Sequence, residues 1–424
     1  MVVGHSGRSA SFAAQGHDGR QRAVKHGLIY RSQSGHETLL LVRPAVSNDI
    51  VGRSAAMTCR PIFAWGVSQM KDQLGAATSR HAASSGRARR YMPWLTWKFL
   101  TLALVAFTAT WLAPAPSSAQ VAWRFATEYP ERNISGVGLT TFARLVSLRT
   151  NASVTIANTF DDQLKIGSAR MFQAVEDHRI TGGDAFAGPL EASDALFGLA
   201  SLPFAVQSVD AAKAANARAR PLYERALARR GMRLLYITIW PSTGLWSSRP
   251  IASADDLRTL AVRTYDNNSA QVLRSAGAAA EYLSFNEAVA KVKSHQLNAI
   301  LTSGDGGAGR KLWDDLAYFT PINYAIPISI AFVSAEAFEA LPKQVQDEVL
   351  QAAAETEASQ FELLATRTTE NYARMRENGV TIADPAPAAV IAALKKGAEA
   401  PIALWKTKVP VEAAGIVDWV LRQN

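Results

Sequence analysis

The chain has 424 residues, 45 Lys+Arg against 36 Asp+Glu for a formal net charge of +9, and a single cysteine, Cys59. The basic excess is confined to residues 1–119, which hold 14 Lys/Arg and 4 Asp/Glu, whereas residues 120–424 hold 31 and 32. A nucleic-acid-binding body would carry its basic residues on the folded part, so that class is excluded. A body without cysteine and with only His178 and His295 has neither a disulfide framework nor a thiolate or histidine-rich metal site.

Residues 1–86 show no sustained periodicity, and residues 1–91 read as an over-extended reading frame upstream of Met92, or alternatively as a basic arm disordered by composition. Residues 92–119 have export grammar. Arg87, Arg89, Arg90 and Lys98 precede the apolar run Phe99–Leu112, Pro114 and Pro116 break any helix, and Ser117-Ser-Ala119 offers small residues for cleavage. The apolar run is shorter than the ~20 residues of a permanent span. A cleavable signal peptide and a periplasmic protein are therefore expected, and no cysteine near the cleavage site is available for lipid attachment.

From Val121 the patterns alternate. Val121–Thr127 reads as a strand, Val137–Thr150 as an amphipathic helix, Ala152–Phe160 as a strand, Arg170–Asp177 as a short helix and Arg179–Gly188 as a strand. Helical sequence around Asp210–Arg230 precedes an apolar strand, Arg233–Trp240. A turn capped by Ser253-Ala-Asp-Asp256 leads to strand Thr259–Thr264, helix Asn268–Ala278, strand Glu281–Leu283, helix Phe285–Ser294 and strand Leu297–Leu301. Helix Arg310–Leu316 and strand Ala325–Ser334 follow. This βαβα rhythm predicts mostly parallel sheets with helical covers. After Pro342 a helical pattern runs to about Asn378, long enough at 1.5 Å per residue to bridge two lobes.

Read together, Trp123–Asn133, Leu202-Pro203-Phe204, Pro250–Asn267, Phe285–Asn298 leading into Leu301-Thr-Ser-Gly304, and Leu312-Trp-Asp-Asp315 resemble the periplasmic solute-binding proteins of TRAP transporters, over nearly all of residues 121–424. The resemblance implies an α/β, two-lobed periplasmic-binding-protein-like fold (type II-like) with crossing hinge strands and a lobe-spanning helix. Lobe 1 is expected over 120–246 with part of 331–360, and lobe 2 over 247–330 with 361–424. The implied function is capture of a small organic acid by lobe closure and its delivery to the membrane permease subunits of a TRAP-type transporter, without a cofactor, by a monomer or homodimer.

In that family an arginine at the end of the strand after the first crossover pairs with the ligand carboxylate, and the matching position is Arg263 in Leu260-Ala-Val-Arg-Thr-Tyr-Asp266. A guanidinium suits this task because its planar fork of donors matches a carboxylate bidentately. Thr302 and Ser303 stand where many relatives carry an Asn that reaches the ligand, and Asn298 and Thr259 stand where Asp and Gly are usual. Tyr129, Trp240, Tyr265 and Trp313 are candidate aromatic walls, and Asn267 follows Arg263 closely enough to share the site. Glu128 and Asn133 lie in the loop after the first strand, where parallel sheets present ligand groups.

Two rival readings remain within the sequence. Gly304-Asp-Gly-Gly-Ala-Gly309 fits G-x-G-x-x-G after a strand, the form of a dinucleotide-binding loop. The acid expected ~20 residues on is absent, so a flexible turn is the expectation. Catalysis lacks parts, because no G-x-S-x-G elbow surrounds Ser303 and nothing pairs a nucleophile with a base. A ligand-sensing role for a signalling receptor uses the same fold.

Overall fold

A computed structural model describes residues 120–423, and the leader and signal-peptide expectations lie outside the described residues. The strands are β1 (Val121–Ala126), β2 (Val154–Thr159), β3 (Gly182–Phe186), β4 (Met232–Ile239), β5 (Thr243–Ser247), β6 (Ala261–Thr264), β7 (Ala279–Tyr282), β8 (Ala299–Ser303), β9 (Tyr318–Thr320), β10 (Ile328–Ser334) and β11 (Thr381–Ile382). They form a five-stranded sheet, β2-β1-β3-β10-β4, and a six-stranded sheet, β11-β9-β5-β8-β6-β7. Each sheet with its helices makes one lobe.

The sheets are mixed rather than mostly parallel. β1 runs parallel to β2 and β3, and β6 runs parallel to β7 and β8, as helical crossovers require. The exceptions are the two strands that cross between lobes: β10 is antiparallel to β3 and β4, and β5 is antiparallel to β8 and β9. A chain that passes straight from one sheet into the other has no crossover helix to return it in the parallel sense. The forward crossing occupies Trp240-Pro-Ser242, so the lobe boundary falls before Thr243 and not at 246/247, and β10 joins the first sheet already from Ile328.

Helix Lys343–Glu377 runs 35 residues without a break, a length of about 52 Å. Its first half, through Val349, Ala352 and Ala353, packs into a core with Phe142 and Tyr236 of lobe 1. Its second half places Leu364 and Met375 in the core that extends through lobe 2. Polar ties fix the helix to lobe 1. Arg149 pairs with Glu348 and Glu355, and Glu357 pairs with Arg220 while accepting from Ile237 N at 2.8 Å. The C-terminal helix Val411–Leu421 returns to lobe 1, where Arg218 stacks 3.8 Å from the Trp419 ring. Residues 361–424 therefore do not all belong to lobe 2.

The glycine run also departs from expectation. Gly304–Gly309 is a buried helix, capped by Ser303 Oγ accepting from Gly306 N at 3.1 Å, while residues 310–316 hold only a short 3-10 turn, Leu312–Asp314. A Cβ at Gly307 would fall inside the Trp246 indole, one at Gly309 inside the Asn133 carboxamide, and one at Gly306 on Thr302 Oγ1. The glycines let protein atoms approach this helix on several sides, so no pyrophosphate has room there and the dinucleotide reading is overturned.

Candidate functional site

An interlobe cleft of about 640 Å³ has Arg263, Tyr282, Leu283, Asn286 and Glu287 on the lobe 2 wall and Glu128, Asp162, Gly167, Ser168 and Pro189 on the lobe 1 wall. Arg263 is the penultimate residue of β6 (Ala261–Thr264), a largely buried strand, and is itself 3% exposed. Its Nε donates to Leu283 O at 2.9 Å and its Nη1 reaches Leu301 O at 3.4 Å. These carbonyls fix the guanidinium and leave Nη2 without a carboxylate partner among the described residues. Burial lowers its pKa, opposed by the nearby Tyr129 and Glu128. An anion docking on the fork would relieve that desolvation cost.

Glu128 faces it from lobe 1. Oε1 accepts from Ser168 Oγ at 2.6 Å, and Ser168 Oγ in turn accepts from Phe186 N at 3.0 Å. Burial raises the Glu128 pKa, while Ser168 and Arg263 pull it back. Tyr129 sits beside them, its pKa raised well above 10.0 first by burial. Its ring centroid lies 4.7 Å from Trp240 and 6.2 Å from both Phe186 and Phe285. Phe186 extends this aromatic cluster to Tyr265 at 5.2 Å. The Phe285 ring lies between two guanidiniums, Arg263 at 5.1 Å and Arg310 at 5.5 Å, where its π face favours cations.

The remaining predicted residues are placed elsewhere. Trp240 is 2% exposed and donates Nε1 to Ser329 Oγ at 2.9 Å, so its polar edge belongs to the crossing strands. Ser303 caps the glycine helix and Thr302 packs against it, and neither lines the cleft. Asn267 is exposed, whereas its neighbour Asn268 reaches across to both oxygens of Glu191 at 2.9 and 2.8 Å. Trp313 is half-buried against the core, away from the cleft. Asn133 belongs to an interlobe network, donating Nδ2 to Asp305 O at 2.6 Å and to Asp305 Oδ2 at 3.1 Å. Asn298 accepts from Ala261 N and donates to Thr259 O, a pair of bonds that an ionised Asp could not make.

Sequence reasoning missed Ser168, Tyr282, Phe186, Phe285 and Arg310 as parts of the site. Only Ser284-x-x-Glu287 announced itself, as a capping box at the start of helix Phe285–Lys293. Around the cleft mouth the lobes are tied by Arg310 to Asp161, by Arg310 Nη2 to Glu128 O at 2.7 Å, and by Asn286 Nδ2 to Asp162 Oδ2 at 2.8 Å. Asp161 and Asp162 adopt left-handed φ values of 59° and 53°, which aspartate tolerates better than most residues and which turn this loop toward lobe 2. Among the described residues no group of three or more His, Cys, Asp or Glu is placed to hold a metal, and no helix is long and apolar enough to cross a membrane.

Two lobes joined by crossing strands, with a fixed guanidinium at the base of the cleft between them, define a ligand-capturing receptor of the hinged kind. The chain belongs to the bacterial extracellular solute-binding proteins, family 7, whose model matches residues 125–402. No curated protein sequence matches it. Among solved structures it is similar to an extracytoplasmic solute receptor of Bordetella pertussis that binds pyroglutamic acid, at 23% identity over 71% of this chain and 99% of that one, with a TM-score of 0.67. A TRAP solute-binding protein from a marine metagenome, specific for pyroglutamate, matches at 22% identity over 72% and 99% of the two chains, with a TM-score of 0.67. A sugar acid binding protein of Advenella mimigardefordensis, in complex with galactonate, matches at 17% identity over 72% and 98%, with a TM-score of 0.66.

Proposed function

We propose that this protein is the periplasmic receptor of a TRAP-type secondary transporter, that it captures a small organic acid by lobe closure, and that it passes the acid to membrane permease subunits. The observation that carries this reading is the Arg263 fork, held by two backbone carbonyls at the base of the interlobe cleft and without a carboxylate partner. A carboxylate bound there gains a bidentate, charge-assisted pair shielded from water. Tyr282, Leu283 and Pro189, which line the cleft with it, supply an apolar wall for the ligand's carbon frame, backed by Tyr129 and Phe285. The acids named for the similar structures (pyroglutamate, galactonate) are all carboxylates, which supports this class of ligand. The family's extracellular character agrees with the export grammar of residues 92–119.

The experiment is a thermal-shift and calorimetric screen of organic acids on the native protein and on Arg263→Lys. A ligand binding only the folded state raises the melting temperature by linkage. The variant should fold yet bind carboxylates at least tenfold more weakly, since the fork is lost. Unchanged affinity in Arg263→Lys would remove the arginine from the site.

A further inference from the structure

Arg263 accounts for the ligand's carboxylate, but the opposite wall of the cleft has its own demand. Glu128 is 5% exposed and still lines the cleft. Its Oε1 is fixed by Ser168 Oγ at 2.6 Å, and the single hydroxyl proton of Ser168 is committed to that bond because the same oxygen accepts from Phe186 N at 3.0 Å. The Ser168 backbone also supports this carboxylate, no second side chain donates to it among the described residues, and Arg310 goes to the Glu128 backbone oxygen instead. Gly167 keeps the space beside Oε2 open, since a Cβ there would stand 3.3 Å from that oxygen. The side chain is thus held from the Ser168 side while the residue lines the cleft opposite Arg263. Closing the cleft on a ligand would take this carboxylate further from water, which is costly unless the ligand supplies a donor.

We infer that Glu128 Oε2 is a specificity-determining acceptor, and that the protein selects acids carrying a hydroxyl or N–H donor close to the carboxylate over plain monocarboxylates of the same shape. This rests on the organic-acid reading above. Arg263 takes the anion from lobe 2 while Glu128 takes the donor from lobe 1, so a ligand with both groups engages the two lobes at once and favours closure. A plain acid satisfies the fork but brings no donor to the Glu128 carboxylate as the cleft closes over it, and sites built around a hydrogen bond reject analogues that lack it. The like-charge repulsion between Glu128 and a carboxylate works in the same direction, since only a ligand with a donor offsets it.

The test is calorimetric titration of the native protein with matched pairs: pyroglutamate against cyclopentanecarboxylate, lactate against propionate, and mandelate against phenylacetate. For at least one pair the donor-bearing member should bind tenfold or more tightly. Glu128→Met removes the acceptor and should bring that ratio to within about threefold, mainly by weakening the donor-bearing acid. Glu128→Gln, which keeps one acceptor oxygen, should retain part of the preference, and melting curves verify that both variants fold. Arg263→Lys should weaken both members of a pair equally. Equal binding of both members by the native protein, or an undiminished preference in a folded Glu128→Met variant, overturns the inference while leaving the organic-acid reading in place. Silence of every acid would remove that reading itself and this inference with it.

Discussion

Replacing Asp305 with alanine should destabilise the protein severely, although the residue lies outside the cleft. Its side chain is 1% exposed and links three parts of the fold. Oδ2 accepts from Ile134 N at 2.9 Å and Asn133 Nδ2 at 3.1 Å in lobe 1, and Oδ1 accepts from Arg367 Nε at 2.5 Å and Asn371 Nδ2 at 3.0 Å on the long helix. Without the carboxylate, Arg367, whose side chain is 11% exposed, becomes a stranded charge. Removing one partner of such a pair costs about 3–5 kcal/mol, and the orphaned Asn133 and Asn371 donors add to it. At the ~2–4 °C per kcal/mol typical of domains this large, the melting temperature should fall by roughly 10 °C. Urea denaturation followed by tryptophan fluorescence gives the free energy directly. The double variant Asp305→Ala/Arg367→Met no longer strands a charge and should regain at least about 1 kcal/mol over the single one. A loss below 1 kcal/mol in Asp305→Ala, or a double variant no more stable than the single, would refute the account of a charge-stranding interlobe tie.

Gly307→Ala should cost about 1–3 kcal/mol, the range for forcing atoms into a packed core, because its methyl would meet the Trp246 indole; a melting curve within 1 °C of the native one would contradict that packing. Asp266 gives a pH signature. Burial raises its pKa from 3.8 to about 7, so the folded state holds a proton that the unfolded state releases. Its contribution to stability is therefore fully present below pH 3.8 and is lost as pH rises through 7. Asp266→Asn keeps an oxygen that can accept from Ser269 N and should be more stable than the native protein at pH 8, by up to about 4 kcal/mol for a three-unit shift. The advantage should shrink toward pH 5, and parallel stability curves would refute it. Asp184, also raised to about 7 by burial, should behave in the same direction.

Elements whose signal is local were legible in the sequence. Helix Lys343–Glu377 declared itself by length and by Pro342, and the helix read over Phe285–Ser294 is observed as Phe285–Lys293. β5 was not read, because Thr243-Gly-Leu-Trp-Ser247 is short and carries a glycine. That glycine exists for a tertiary reason, since a Cβ at Gly244 would strike Phe319. The glycine helix was hidden likewise: glycine is the poorest ordinary helix former, and what holds this helix is the approach of Trp246 and Asn133. At the site, Arg263 and Glu128 were found through a family resemblance and chain position. Ser168, Phe186 and Arg310 were not, because nothing along the chain signals that they meet Glu128. Thr302 and Ser303 sat where the ligand was expected, but the Ser303 hydroxyl caps the helix that follows and Thr302 packs against it.

The crossing strands bear on how the molecule assembles. β10 lies between β3 and β4 in the first sheet, so β4 has no hydrogen-bonded route to β3 until residues 240–327 have been laid down. A nascent or partly translocated chain ending within that span holds the sequence of nearly a whole lobe but not its closing strand. Contacts so distant along the chain make folding slow, because the entropy of closing the loop is spent before the pairing rewards it. The first sheet therefore closes only after the sequence of the second has been made, and no single cut of the chain leaves the first lobe with all of its strands and none of the second lobe's.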